Sequence, residues 1–304
     1  MRRLSSHPTH GLAVRLATAA SVAAVALFAV LTPATSAWAE ALCARPDPEG
    51  AQPTLVRVAY NGPAEFTAVS VAYSPDALGG RAPSTVRLPT DLKNLDISAR
   101  KSRFIETILP LLVDVNRHIA ETRARIERLA AMERHGCTLH DAELRWLAAV
   151  AFEYEAEAGD INALLKRVDT IPLSLSAAQA AIESAWGTSR FAHEGNALFG
   201  ERTYDPSVPG MKVPSRTTFR VRSFQTLYDS VRQYANNLNT HEAYERFRAV
   251  RADQRRRGHT FDSDALAATL GLYSEKGGWY TNTLVSIMSF NRFYELDAIR
   301  VAAN

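Results

Sequence analysis

From residue 97 onward, apolar residues recur at three- and four-residue spacing, which is the period of an amphipathic α-helix. One apolar stripe starts at Phe104, and a turn around Gly136 separates it from a second stripe between Leu144 and Val168. Two long stripes joined by a turn predict a helical hairpin over residues 97–168. Because such stripes usually form a core, we expect this hairpin to support the segment that follows it.

The second half of the chain, residues 169–304, predicts a mainly α domain made of shorter helices. The first of these helices is expected to begin at Ser174 or Ser176 and to end at Gly187. Between Arg216 and Arg222, apolar and polar residues alternate as they do in a half-buried strand. The pattern therefore predicts a small β-hairpin inserted in a helical domain.

The N-terminal residues 1–39 predict a signal peptide for export. Arginines precede an apolar run, and Ala37-Trp38-Ala39 provides the small residues that signal peptidase accepts. We expect cleavage before Glu40 and a periplasmic or extracellular protein, and the alternative is an uncleaved N-terminal membrane anchor. Residues 40–96 contain seven of the 14 prolines and predict a linker or stalk.

Composition and charge exclude several classes of protein. Apolar residues make up 46% of the chain, which excludes disorder throughout. The formal net charge of +3 comes from arginines within residues 1–39, so the mature chain is near neutral and no nucleic-acid partner is expected. The histidines lack the spacing of metal ligands, and no glycine-rich phosphate loop occurs. We therefore expect no metal and no other cofactor, and nothing in the sequence indicates a protein partner.

Cys43 and Cys137 are the two cysteines of the chain. In an oxidising compartment they can pair, which would tie the start of the mature protein to the turn of the predicted helical hairpin. Two unpaired thiols are the alternative, since the spacing of these residues does not decide between them.

Glu183 is the candidate for acid–base chemistry, because it lies in the last turn of a mostly apolar predicted helix, beside Trp186. A helix C-terminus disfavours anions, since its unpaired carbonyl groups carry partial negative charge. Burial and this dipole both raise the pKa of a carboxyl group in such a position. A glycosidase needs a protonated carboxylic acid to protonate the leaving sugar oxygen. The alternative is a surface ion pair between Glu183 and Arg190.

Ten positions around Glu183 follow one pattern: Ala180, Glu183, Ser184, Trp186, Gly187, Ser189, Asn196, Leu198, Phe199 and Gly200. They resemble the glucosaminidase motif of flagellar peptidoglycan hydrolases and bacterial autolysins. The helical run from Lys101 and the segments 167–172 and 237–241 resemble the Bax-like members of this family. The likeness covers most of residues 87–297.

The resemblance implies a lysozyme-like glucosaminidase domain with a small β-hairpin lobe, and it implies that Glu183 is the general acid. It also implies a functional tyrosine at Tyr280, for which packing of the last helix is the alternative. The expected substrate-binding residues, each of which packing alone would also explain, are Trp186, Asn196, Phe199, Gly200, Tyr244 and Tyr273.

One feature departs from the family pattern. Many relatives carry a second glutamate in the β-lobe, but this chain has none between Arg202 and His241. Glu201 and Asp205 are weak substitutes, and assistance by the N-acetyl group of the substrate is the other possibility.

These patterns together predict an exported endo-β-N-acetylglucosaminidase that cleaves the GlcNAc–MurNAc bond of peptidoglycan glycan strands. A lytic transglycosylase acting on the same polymer is one alternative. A catalytically silent wall-binding or scaffold module is another. A run of six arginines between residues 246 and 257 predicts a solvated helix face followed by a loop, or a surface for the acidic stem peptides of peptidoglycan.

Overall fold

The computed structural model describes Cys43 and residues 86–214, 216–258, 260–273 and 277–299. The predicted signal peptide and most of the predicted linker lie outside these residues. In the part of the chain that is described, no helix is both long and apolar enough to cross a membrane.

The fold is mainly helical, as predicted. Its α-helices are α1 (Ile97–Arg134), α2 (Asp141–Glu153), α3 (Ile161–Arg167), α4 (Leu173–Glu183), α5 (Arg190–Gly195), α6 (Leu227–Thr240), α7 (Glu245–Arg256), α8 (Ser263–Ala267) and α9 (Gly278–Phe290). Short 3-10 helices cover Leu92–Asn94, Glu242–Tyr244, Leu270–Leu272 and Phe293–Ala298.

The helix α4 lies at the centre of the fold. Every residue from Leu173 to Ala181 is buried, and four of them are alanines. These small side chains allow α1, α9 and the 3-10 helix Phe293–Ala298 to pack closely around α4. The end of this buried helix is where the predicted general acid lies.

The predicted helical hairpin is present as one long helix and two shorter ones. The second arm is divided into α2 and α3, because the chain turns between them through left-handed residues at Glu155 and Gly159. The long helix α1 also packs against α4 and α6, so the hairpin and the following segment share one core. Val86, Leu88 and Leu92, at the end of the predicted linker, are buried in the same core.

The small β-lobe is a three-stranded antiparallel sheet in the order β1-β3-β2, with strands β1 (Arg202–Thr203), β2 (Gly210–Val213) and β3 (Arg216–Arg222). The hairpin of β2 and β3 confirms the sequence prediction. The third strand, β1, is short and pairs Arg202 with Val221. This pairing joins the segment after the family motif to the β-lobe.

Cys43 and Cys137 form a disulfide bond, with their Cα atoms 5.6 Å apart. This separation is within the normal range for a disulfide. Cys137 follows the end of α1, so the bond connects the start of the predicted mature chain to the turn between α1 and α2.

The predicted solvated face of the arginine run of residues 246–257 is confirmed only in part, because four of its six arginines are exposed while α7 buries Arg248 and Arg251. Arg251 has 0% exposure, and it donates a hydrogen bond of 3.0 Å to the main-chain oxygen of Asp169. Arg255 binds the Asp169 carboxylate through its Nε atom at 2.6 Å. Asn239 donates to the same main-chain oxygen at 3.1 Å. Segments 167–172 and 237–241, which resemble the Bax-like members of the family, therefore meet each other in a buried polar cluster.

Candidate active site

The helix α4 ends at Glu183, four residues before the predicted end at Gly187. Beyond it, Ala185, Trp186 and Gly187 have φ angles of 52°, 55° and 74°. Residues other than glycine rarely adopt this left-handed conformation, and it is strained. Tertiary packing holds the turn, together with a hydrogen bond of 2.8 Å from the Trp186 amide to the Ala181 carbonyl.

Two residues of the family motif build this turn. The buried Ser184 hydroxyl donates to the Ala180 carbonyl at 2.6 Å and accepts from the Gly187 amide at 2.8 Å. Gly187 is required for space as well as for its backbone, because a Cβ atom there would lie 2.7 Å from the Phe104 ring. These two residues therefore fix the position of Glu183 at the helix end.

Trp186 does not continue the helix beside Glu183, contrary to the prediction, because the left-handed turn redirects the chain. Its half-buried ring lies 6.0 Å from the ring of Phe104 and 6.2 Å from that of Phe293. The Lys101 ammonium group lies 4.8 Å from the centre of the Trp186 ring. These contacts favour a packing role over sugar stacking for this residue.

The second motif segment brings Gly200 against the candidate acid. A Cβ atom on Gly200 would lie 3.1 Å from Oε2 of Glu183, and the φ angle of Gly200 is +65°. Asn196 is left-handed at the end of α5, and its amide group donates to the Phe224 carbonyl at 3.0 Å. Phe199 is buried and stacks on Tyr234 with ring centres 3.8 Å apart. Asn196 and Phe199 thus hold the loop, and Gly200 leaves space beside the carboxyl group.

A chain of hydrogen bonds leads to Glu183 from inside the protein. The Tyr234 hydroxyl donates to Oε1 of Gln179 at 2.7 Å, and Nε2 of Gln179 donates to the Tyr280 hydroxyl at 3.1 Å. Tyr280, in turn, is hydrogen-bonded to Glu183. Burial and the charge of Glu183 raise the pKa of Tyr280, so this tyrosine keeps its proton and donates it in the hydrogen bond. The structure therefore brings the two predicted catalytic residues together.

Two further predicted site residues extend this cluster. Tyr273 stacks on Tyr280 at 5.7 Å between ring centres, and its hydroxyl donates to the Phe199 carbonyl at 3.0 Å. The ring of Tyr244 lies 5.9 Å from that of Tyr273. Burial, together with the charges of Glu201 and Glu183, raises the pKa of Tyr244 to about 12. The tyrosines are therefore uncharged at neutral pH.

The two candidate substitutes for a second glutamate lie in opposite surroundings. Asp205 is exposed, and hydrogen bonds from Ser207 lower the pKa of its carboxyl group. The carboxyl group of Glu201 is buried, and burial raises its pKa to about 8, while the charge of Arg222 acts in the opposite direction. Only Glu201 of this pair shares the surroundings of Glu183.

Arg190, which the alternative interpretation paired with Glu183, forms its ion pair with Glu194 at 3.1 Å.

The roles of Gln179 and Tyr234 were missed from the sequence. The position of Gln179, one helical turn before Glu183, was the available indication. Within the described ranges, no three histidine, cysteine, aspartate or glutamate side chains come together as metal ligands.

The fold and this site are those of a glycoside hydrolase of the glucosaminidase family. Residues 158–292 match the family model described as "Glucosaminidase: Mannosyl-glycoprotein endo-beta-N-acetylglucosaminidase". The chain is also similar to Protein bax of Escherichia coli (strain K12), with 34% identity over 202 residues, covering 64% of this chain and 70% of that protein. The chain therefore belongs to the glucosaminidase family, as a Bax-like member, and the family implies action on peptidoglycan.

Among solved structures, the chain is similar to the catalytic domain of the autolysin Auto from Listeria monocytogenes. The identity is 17%, the TM-score is 0.31, and the match covers 53% of this chain and 90% of that one.

Proposed function

We propose that this protein is an exported endo-β-N-acetylglucosaminidase that hydrolyses the GlcNAc–MurNAc bond of peptidoglycan, with Glu183 as the general acid. The observation that supports this most is the surroundings of the Glu183 carboxyl group. On one side Tyr280 is hydrogen-bonded to it, and on the other side Gly200 has no side chain that would fill the adjacent space.

In this proposal the Glu183 carboxyl group protonates the glycosidic oxygen as the bond to the leaving sugar breaks. The carboxylate that results accepts the hydrogen bond from Tyr280, which stabilises the negative charge and keeps the group oriented. Gln179 holds the Tyr280 hydroxyl through its own donated bond. Tyr280 thus acts as a positioning residue for the acid.

The product distinguishes hydrolysis from the alternatives. Purified peptidoglycan is digested with the protein, reduced with borohydride, and separated for mass spectrometry. Reduced GlcNAc at new chain ends supports the proposed hydrolase. A 1,6-anhydro-MurNAc end supports the lytic transglycosylase instead, and the absence of any cleavage supports the silent binding module. The Glu183→Gln variant, in parallel, excludes a contaminating hydrolase.

Export is tested on the N-terminus of the protein. Secreted protein that begins at Glu40 supports cleavage after Ala39. An intact N-terminal segment in the membrane fraction supports the anchored form and contradicts the released one.

A further inference from the structure

Glu201 is a carboxyl group next to the candidate acid, although it is outside the ten-position family motif. It directly follows Gly200, the residue whose Cβ position lies 3.1 Å from Oε2 of Glu183. Consecutive Cα atoms are only about 3.8 Å apart. The main chain of Glu201 therefore lies beside the Glu183 carboxyl group. The Glu201 carbonyl accepts a hydrogen bond of 2.7 Å from the Arg222 amide, which fixes this segment against β3.

Glu201 is a half-buried residue, but one oxygen atom of its carboxyl group is buried without a hydrogen bond. Its Oε1 atom has no hydrogen-bond partner among the residues that the structure describes. Nearly all buried polar atoms in proteins have such a partner, so this exception needs an explanation. A charged carboxylate is costly in this state, whereas the uncharged acid is tolerated. Burial accordingly raises the pKa of Glu201 to about 8.

The titratable groups around Glu201 come from several elements of the fold. They are Arg222 of β3, Tyr234 of α6, Tyr244 and Tyr273. The charge of Glu183 acts on Tyr244 and Tyr273 as well, so both glutamates face the same group of tyrosines. The positive charge of Arg222 lowers the pKa of Glu201 by less than burial raises it.

We propose that Glu201 is a second carboxyl group of the glycan site, which in its uncharged form donates a hydrogen bond to an oxygen atom of the bound sugar. The inference rests on the proposed function, because it takes a glycan as the ligand. A protonated carboxyl group has one O–H donor, and sugar hydroxyl and acetamido carbonyl oxygens are suitable acceptors. Because Oε1 is buried while Glu201 as a residue is only half-buried, the oxygen atom that meets the sugar would be Oε2.

The test measures glycan binding in the Glu183→Gln background, where catalysis and the titration of Glu183 are both absent. The probe is soluble, peptide-free peptidoglycan strands, and affinity is measured by titration calorimetry between pH 5 and pH 9. We expect affinity to fall as the pH rises through about 8, when Glu201 loses its proton. Adding Glu201→Gln should weaken binding about 3- to 10-fold at pH 6 and remove the fall at alkaline pH. Adding Glu201→Leu should weaken it about 10- to 100-fold at pH 6 and should also remove the fall at alkaline pH.

Unchanged affinity with Glu201→Leu would overturn the proposal, as would an alkaline fall that persists with Glu201→Gln. If the leucine variant does not fold, the pH dependence of glycan affinity in the Glu201→Gln variant still tests the proposal. Failure of the proposed function is a separate result, because it is seen as a lack of GlcNAc ends in wild-type digests. Asp205→Asn, which removes an exposed carboxylate on the other side of β1, is the matched control and should change none of these values.

A second measurement needs no glycan. The ordinary pKa of glutamate is 4.5 and that of buried Glu201 is about 8, so the unfolded chain loses this proton first as the pH rises. The contribution of Glu201 to stability therefore decreases as the pH rises from 4.5 to about 8, and it is constant at higher pH. The melting temperature of Glu201→Gln should rise relative to wild type across this window. A constant difference across the window would show that Glu201 is charged in the folded protein, and this would overturn the proposal.

Discussion

The two ends of α4 both lie next to buried carboxyl groups, but their surroundings are opposite. Just before the helix, the Asp169 carboxylate lies 3.5 Å from Nη1 of Arg123 and is bound by Arg255. At the other end, Glu183 is hydrogen-bonded to Tyr280, and the neighbouring Glu201 carboxyl group has a buried atom with no partner among the described residues.

This difference separates a cluster of ion pairs that stabilises the fold from a cluster of tyrosines and glutamates that forms the candidate active site. The guanidinium groups of Arg123 and Arg255 lie against the Asp169 carboxylate, and removing that carboxylate would leave them without their buried partner. Tyrosines supply hydrogen bonds without a positive charge, and the Glu201 carboxyl group beside them has its pKa raised by burial to about 8. The same chemical group thus stabilises the fold at one end of α4 and is the proposed acid at the other. Three substitutions test this contrast, and the removal of the disulfide is an independent control.

The largest effect is expected for Glu183→Gln, which keeps the size of the side chain but removes its dissociable proton. General acid catalysis contributes about 10²–10⁴-fold, so the rate of peptidoglycan cleavage should fall by that factor. The melting temperature and the affinity for glycan strands should stay close to those of wild type. A variant that cleaves at nearly the wild-type rate would show that the acid lies elsewhere.

At the other end of the helix, Asp169→Asn should change stability and leave the chemistry intact. Removing one charge of a buried pair leaves the partner uncompensated and costs about 3–5 kcal/mol. Urea denaturation should show this loss in the free energy of unfolding, with Asp205→Asn as an exposed control. A loss below about 1 kcal/mol, the size typical of a surface pair, would contradict the structural role of the cluster.

The sequence predicts the end of α4 that carries Glu183 better than the end beside Asp169, because the family motif is local. Glu183, Gly200 and their loop lie within one short segment, and its pattern indicates both the helix and the acid. The termination of α4 at Glu183, before the predicted Gly187, could not be predicted in the same way. Ala185 and Trp186 have no intrinsic preference for a left-handed backbone, and long-range packing imposes it.

Which polar groups are buried could not be predicted from the sequence. Arg251 belongs to a strongly basic run, which is typical of a solvated face, but its guanidinium group binds main-chain oxygens more than 80 residues away, such as that of Asp169. Glu201 likewise becomes a buried acid only because β3 and distant tyrosines surround it. Such contacts depend on the complete fold.

The disulfide offers a control that is independent of both ends of α4. Replacing Cys43 and Cys137 together by serine should lower the free energy of unfolding by about 2–4 kcal/mol, since the bond constrains the unfolded chain. Cleavage of peptidoglycan should be unchanged at temperatures where the variant is folded. Complete alkylation of both thiols in unreduced, denatured wild-type protein would contradict the bond.

The smallest effect is expected for Tyr280→Phe, which removes the hydroxyl group between Gln179 and Glu183. A hydrogen bond to a charged group contributes about 1.5 kcal/mol at the lower end, so kcat should fall about 10-fold. The KM should change little, because the ring and its stacking on Tyr273 remain, and the melting temperature should fall only slightly, because the buried Nε2 atom of Gln179 loses its acceptor. Tyr273→Phe is the matched control, since its hydroxyl binds only the Phe199 carbonyl among the hydrogen bonds described, and it should leave kcat less affected. If the two variants lose the same activity, or if Tyr280→Phe lowers the melting temperature instead of kcat, then Tyr280 packs the last helix and does not position the acid.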